Sequence, residues 1–247
     1  MSLYNFGSGT LFGTPNGGNM AANPTPLSFG TLQDVTVDIS SDQKELFGQN
    51  QFAVDTARGK SKISWKAKFA TLSGKLINDL YFAETLNTPM ITVSLLEASV
   101  IVSTTVTVVK SATFVTDLGV TYVTTGNFFV KVASAPIAGQ YSVAAGVYTF
   151  AAGDTGASVA ISYKYTAAAA TGTNFIVQNR PMGYSPTFSL VLSNLYQGNT
   201  FQLTLFACRA AKLALSTKND DYTIPELDGM SFANAAGQVL AYDNSGQ

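Results

Sequence analysis

Two stretches of this chain alternate so strictly between apolar and polar residues that each fits only a strand with one buried face. In "LQDVTVDIS", Val35, Val37 and Ile39 alternate with Asp34, Thr36 and Asp38. In "KSKISWKAKFA", Ile63, Trp65, Ala67 and Phe69 alternate with Lys60, Lys62, Ser64, Lys66 and Lys68. Successive side chains of a strand point to opposite faces, so both segments are expected to be half-buried. Their polar faces are complementary, one acidic and one basic. If the strands pair, Asp34 and Asp38 lie near lysines of the second strand, at about 0.2–1 kcal/mol per pair. The alternative is a basic stripe that touches nucleic-acid phosphates; the pairing is the favoured reading.

Composition narrows the function classes. Charged residues make up 12% of the 247-residue chain, about half of the roughly 25% usual in soluble domains. Low charge on a β-rich chain points to a surface covered by partners and to an obligate assembly. The net charge is -1, so no basic excess marks a nucleic-acid binder. Histidine is absent, which removes Ser-His and Cys-His dyads, histidine metal sites and histidine pH switches. The single cysteine, Cys208, excludes an internal disulfide and a multi-cysteine zinc site. Its apolar setting, "LTLFACRAA", reads as core. No catalytic residue, metal site or cofactor is expected. The opening "MSLYNFGSGTLFG" lacks a basic region and a continuous apolar core, so it does not read as a signal peptide. No run approaches the roughly 20 apolar residues of a membrane helix, and a protein assembled in a cytoplasm is expected.

Along the chain, residues 1–28 are rich in Gly, Asn and Pro, with Leu3, Tyr4, Phe6, Leu11 and Phe12 scattered among them. They read as an aperiodic arm that orders against a neighbour. A long loop, "SDQKELFGQNQFAVDTARG", separates the two alternating strands. "TLSGKLINDLYFAETL" (71–86) places Leu72, Leu76, Leu80 and Ala83 on one helical face, with Thr71 or Ser73 as cap. Between 98 and 172 short runs rich in Thr, Val, Ala and Ser ("TTVTVV", "TYVTT", "FFVKV", "YSV", "VYTF", "SVAISYKYT") alternate with turn residues, the pattern of a small β-sandwich or barrel of immunoglobulin-like kind. "SPTFSLVLSNL" and "NTFQLTLFACRA" read as strands joined at Tyr196-Gln197-Gly198-Asn199. Two more short strands flank Ala235-Ala236-Gly237. The expected organisation is therefore an arm (1–28), a discontinuous β domain (29–97 and 173–247) and an inserted β-sandwich (98–172).

One tripeptide imitates catalysis. Asp154-Thr155-Gly156 followed by Ala157 matches an aspartic-protease strand. That chemistry needs two carboxylates sharing a proton, and no second copy occurs in the chain. Ala151, Ala152 and Gly153 do not build the apolar strand that would bury a catalytic loop. The motif reads as a turn, with Gly153, Asp154 and Gly156 as turn residues. "GSGTLFG" lacks the preceding strand, following helix and spacing of a dinucleotide loop. Asp79, Glu84 and Glu97 have no evident partners in the sequence. Tyr141, Tyr148, Tyr163 and Tyr165 suit a core role, the alternative being an aromatic platform for carbohydrate.

The order of elements, with "TVDISSDQKELFGQNQFAVDTARGKSKISWKAKFA", the following helix and the closing "KNDDYTIPELDGMSFANAAGQVLAYD", resembles the tail tube (major tail) protein of tailed bacteriophages. "AGQYSVAAGVYTFAAGDTGASVAISYKYT" is similar to β modules that recur in phage structural proteins. The resemblance implies a mainly β fold: packed tail-tube-type sheets forming a barrel or sandwich with one packing helix and a C-terminal hairpin, plus the inserted domain. It implies hexameric rings stacked into a tube, sheets closing across subunits into one barrel, and DNA passing through the lumen without sequence-specific binding. Tail sheath or terminator and baseplate or tip proteins are the implied partners, and the virion tail is the implied location. The long loop would reach the next ring, which makes Lys44, Glu45, Asp55 and Arg58 its candidate contacts and Phe47 and Phe52 its apolar anchors. The lysine stripe is expected to be neutralised by nearby acids or to face away from the channel. The alternatives are a carbohydrate- or receptor-binding β module of a virion or adhesin, and the inner tube of a related contractile injection system.

Overall fold

A computed structural model of the chain describes residues 5–16, 24–169 and 172–245. It is 53% strand and 6% helical, so the sheets carry the architecture. The chain first forms β1 (Thr10–Pro15), β2 (Leu27–Ser28), β3 (Leu32–Phe47) and β4 (Ala53–Phe69). A short helix, α1 (Gly74–Ile77), runs on as a π-helical turn over Asn78–Phe82. Then come β5 (Ile91–Val100), β6 (Thr105–Thr107), β7 (Phe114–Tyr122), β8 (Val130–Lys131), β9 (Gln140–Ala144), β10 (Val147–Phe150) and β11 (Ser158–Thr166). The chain returns through β12 (Phe188–Tyr196), β13 (Asn199–Ala214), β14 (Glu226–Ser231) and β15 (Leu240–Asn244). Two compact units result: one up to Leu86 and again from Phe175, the other Asn87–Asn174. The second begins earlier than the expected position 98, because β5 pairs with β11 along its whole length.

In the first unit the strands run in the order β2-β1-β12-β13-β14-β4-β3, with β15 also on β13. β13 is long enough to serve two half-sheets. Its first part pairs with β12 on one side and β15 on the other, and its last part, from Cys208, pairs with β14. A bulge between Ala210 and Lys212 marks the second half, the kind of irregularity that lets a strand bend from one sheet layer into another. The two halves bury one core. Trp65 and Ala67 of β4 and Leu227 of β14 meet Leu11 of β1, Phe188 and Leu190 of β12 and Leu205 of β13. Trp65 packs edge-on against Phe188 at 5.6 Å. Cys208 is fully buried, and burial pushes its thiol pKa up to about 12, so it stays a protonated core residue.

The alternation in "KSKISWKAKFA" holds: Ile63, Trp65, Ala67 and Phe69 are all buried. The Gln197-Gly198 turn joins β12 to β13 with φ of 49° and 80°, the two positive values that a tight hairpin of this hand requires. Four expectations need correction. The N-terminal stretch is not an aperiodic arm throughout, because Thr10–Pro15 pairs with β12 and Leu11 enters the core; Leu3 and Tyr4 lie outside the described residues. The long loop is instead the continuation of β3 and β4 as a paired ribbon. The helix spans 74–82 rather than 71–86, and Leu72 stands outside it, exposed. Ser73 caps its start by accepting from the Leu76 N–H, and Asn78 ends it by exchanging two bonds with the Glu84 backbone at 2.7 and 3.0 Å. Finally, β14 and β15 do not form a hairpin with each other; each pairs with a different part of β13.

The second unit has a three-stranded sheet, β5-β11-β7, and a four-stranded one, β6-β10-β9-β8. One core joins them, built from Ile101, Val108, Val120, Phe129, Tyr141, Tyr148, Phe150, Val159, Ile161 and Tyr163. Among the described residues no helix is long and apolar enough to cross a membrane.

Candidate assembly surface

The six residues expected to make intersubunit contacts all lie on the outer ribbon of β3 and β4. Register sets Gln43 opposite Arg58, Lys44 opposite Ala57, Glu45 opposite Thr56, Leu46 opposite Asp55 and Phe47 opposite Ala53. Phe52 sits in the tip, between the strands. The last core residue of β4 toward the ribbon is Ile63; its partner Ile39, expected on a buried face with Val35 and Val37, is 63% exposed, and beyond it Ser41 and Ser61 join hydroxyls at 2.8 Å. From Asp42 to Phe47 every β3 residue is exposed, giving roughly 20 Å of ribbon at strand rise. A two-stranded ribbon with both faces in water is marginal by itself.

Among the described residues, none of Lys44, Glu45, Asp55 and Arg58 has an ion-pair partner within 4.0 Å. Asp55 accepts only from the adjacent Thr56 N–H, at 2.8 Å. Phe52 is 84% exposed and Phe47 57%. Sequence reading missed two further apolar residues here, Leu46 and Val54, both more than 60% exposed. The missed signal was their apolar character inside a stretch read as loop. Full burial of one such side chain is worth about 1.5–3 kcal/mol, so a ribbon carrying four of them is suited to docking.

The first unit is polar in the sense of having two different ends. Glu226 pairs with Lys68, so the segment 215–225 leaves β13 and β14 at the Phe69 end of β4, far from the ribbon tip. Leu215 and Tyr222 are exposed there. The half-sheet β13-β14-β4-β3 also has two open edges. β3 has β4 as its only neighbour, and β13 beyond Cys208 is paired on its β14 side alone among the described residues.

On the polar face of that half-sheet, Lys68 lies between Asp34 of β3 and Glu226 of β14, and Lys66 between Thr36 and Asp228. The expected pairing of β3 with β4 is present, but the close ion pairs come from β14. Glu226 Oε1 receives Lys66 Nζ at 2.9 Å and Lys212 Nζ at 3.3 Å. The Lys66 hydrogen bond is the main cause that holds the Glu226 carboxyl below its ordinary range, with Lys212 adding to it.

The carboxylates of Asp154, Asp117, Glu97, Glu84 and Asp79 have hydrogen-bond partners within their own units. Asp154 is buried in a short 3-10 turn and accepts from Tyr122 Oη at 2.8 Å and the Gly139 N–H at 2.9 Å. Its partners are thus remote in sequence, and of the three expected turn residues only Gly156 has a positive φ. Asp117 accepts from Tyr141 Oη, Tyr148 Oη and the Gly119 N–H at 2.7–3.0 Å, with Lys131 Nζ at 3.1 Å. Glu97 accepts from Tyr163 Oη at 2.6 Å and the Val109 N–H at 2.9 Å. Glu84 holds Arg180 through both carboxylate oxygens, at 3.0 and 2.7 Å. Asp79 pairs with Lys75 and Asn78. Tyr141, Tyr148 and Tyr163 are at most 2% exposed, which removes them from any carbohydrate platform. Scanned against protein-family models the chain matches none, and a search of curated proteins returns no match.

Proposed function

We propose that this chain is a non-catalytic structural subunit that assembles with copies of itself into stacked rings, as the tail tube of a tailed bacteriophage, forming a conduit for DNA delivery. The observation that carries the proposal is the β3–β4 ribbon, which extends past the core with four exposed apolar side chains and five charges that have no ion-pair partner among the described residues. The ribbon and the 215–225 connection differ and occupy opposite ends of the unit, so contacts between them are head to tail and propagate as a stack. The open edges of β3 and of the second half of β13 supply the second direction of growth. Pairing them between neighbours closes a ring and removes two edges that would otherwise template aggregation. The hexameric number, the immunoglobulin-like character of the second unit and the virion location follow the sequence resemblance.

Negative-stain microscopy of the purified protein tests this reading. Rings or tubes of uniform width are expected at high protein concentration. A protein that stays monomeric under those conditions overturns it.

A further inference from the structure

Lys60, Lys62, Lys66 and Lys68 of β4 share the polar face of the half-sheet, with Ser64 in the middle of the row and Lys212 of β13 beside it. A row of this kind binds a polyanion, because each lysine-phosphate contact releases condensed counterions. Here the row is interrupted chemically. β14 carries an acid at alternate positions, Glu226 and Asp228, in the same period as the lysines. Glu226 takes both Lys66 and Lys212, while Asp228 lies in register between Lys66 and Lys212.

We propose that Glu226 and Asp228 mask a polyanion-binding surface, closing the lysine face of this half-sheet to nucleic acid while leaving it wet and charged. A phosphate that displaced Glu226 from Lys66 would strand a carboxylate beside it, so the contact gains little and meets repulsion. The mask is local. Lys60 and Lys62 lie past Ser231, where β14 ends opposite Ile63, and neither has an ion-pair partner among the described residues. The masked lysines are therefore Lys66 and Lys212, ion-paired to Glu226, together with Lys68, which lies in register between Glu226 and Asp34. This inference deepens the conduit reading and rests on it for its biological meaning, since a wall that grips DNA would stall its passage.

The test compares wild type, E226Q/D228N, and the same double variant with K66Q/K68Q/K212Q, each titrated onto a short DNA duplex by fluorescence anisotropy at about 50 and 200 mM salt. The double variant is expected to bind at least about 10-fold tighter than wild type at the lower salt. Its salt slope should steepen by about 2–3, close to 0.9 for each of the lysines freed. The added lysine substitutions should return both values to those of wild type. A double variant with native Trp65 emission that binds no tighter overturns the proposal, as does a wild type that already binds with the steeper slope. If the double variant fails to fold, E226Q alone is measured against the same criteria. Assembly is scored separately by microscopy. Wild type that forms no rings counts against the conduit reading, whereas variants that assemble but bind no more DNA overturn the masking alone.

Discussion

The two units differ in where their charged side chains find partners. The second unit meets its acids from within. Its carboxylates Asp117, Asp154 and Glu97 are each met by tyrosine hydroxyls and backbone N–H groups from the same unit. The first unit leaves β3 and β13 with open edges and sends a ribbon beyond its core. The acids of the second unit are satisfied internally, while the ribbon of the first leaves charged and apolar side chains exposed. The difference can be broken at chosen residues, because the chain's single tryptophan, Trp65, reports on the first unit, and the tyrosine core reports on the second.

The largest effect is expected from Asp117→Ala. The Asp117 side chain is 5% exposed and serves two tyrosine hydroxyls, one backbone N–H and one ammonium. Its removal strands buried donors and leaves Lys131 without its partner, at a cost of about 3–5 kcal/mol. Near-ultraviolet circular dichroism of the tyrosines should melt earlier while Trp65 emission keeps its midpoint. Equal shifts of both signals would show that the units are not separate cooperative bodies.

The reverse experiment is Gly229→Ala. A methyl group at Gly229 would meet the Arg209 carbonyl oxygen at 2.0 Å and Trp65 Cζ2 at 2.8 Å. Both neighbours are held, one in the β13 backbone and one in the core, so overpacking should cost about 1–3 kcal/mol. The Trp65 transition should move and the tyrosine signal should not.

Changes of pH should act more gently on the second unit than truncation of Asp117, since a protonated carboxyl still accepts hydrogen bonds. Its tyrosine hydroxyls, the Gly119 N–H and Lys131 hold the Asp117 carboxyl below the ordinary 3.8 despite burial. A depressed folded pKa means stability present above 3.8 and lost as pH falls through the folded value. At the other limit, burial first and the facing carboxylates second raise Tyr122, Tyr141, Tyr148 and Tyr163 above the ordinary 10. Raised phenol values give stability present below pH 10 and lost as pH climbs from there toward the folded values. Circular dichroism of the tyrosines should therefore fade below about pH 4 and above about pH 10, ahead of Trp65 emission at both ends.

The sequence disclosed those parts of the fold in which one face meets a core. Ile63 to Phe69 alternates because its apolar side chains enter the interior and its lysines stay in water. The ribbon from Asp42 to Arg58 carries no such period, since neither face is buried in the chain, and so it read as a loop. Strand β5 was hidden for a related reason: Leu95 and Leu96 sit at a bulge opposite β11 and break the alternation. The candidate contact residues lie on the stretch chosen for them, although that stretch is a paired ribbon rather than a loop. The acids that pair with the lysines were expected on β3. The closest one sits on β14, some 160 positions away in sequence, and only the sheet order makes it a neighbour.

The smallest change in stability, and the sharpest separation of the two designs, is expected at the ribbon tip. Phe52→Ser and Phe47→Ser remove side chains that touch little within the chain, so each should alter unfolding by no more than about 0.5 kcal/mol. Equivalent truncation of a buried aromatic such as Tyr148 or Phe150 costs about 3–5 kcal/mol. If the ribbon is a docking element, both variants should remain folded by Trp65 emission and yet fail to form rings or tubes by electron microscopy. A Phe52→Ser protein that assembles at the wild-type concentration would place the contacts elsewhere, on the open edges of β3 and β13. A Phe52→Ser protein that unfolds would show that the ribbon is held by its own chain after all.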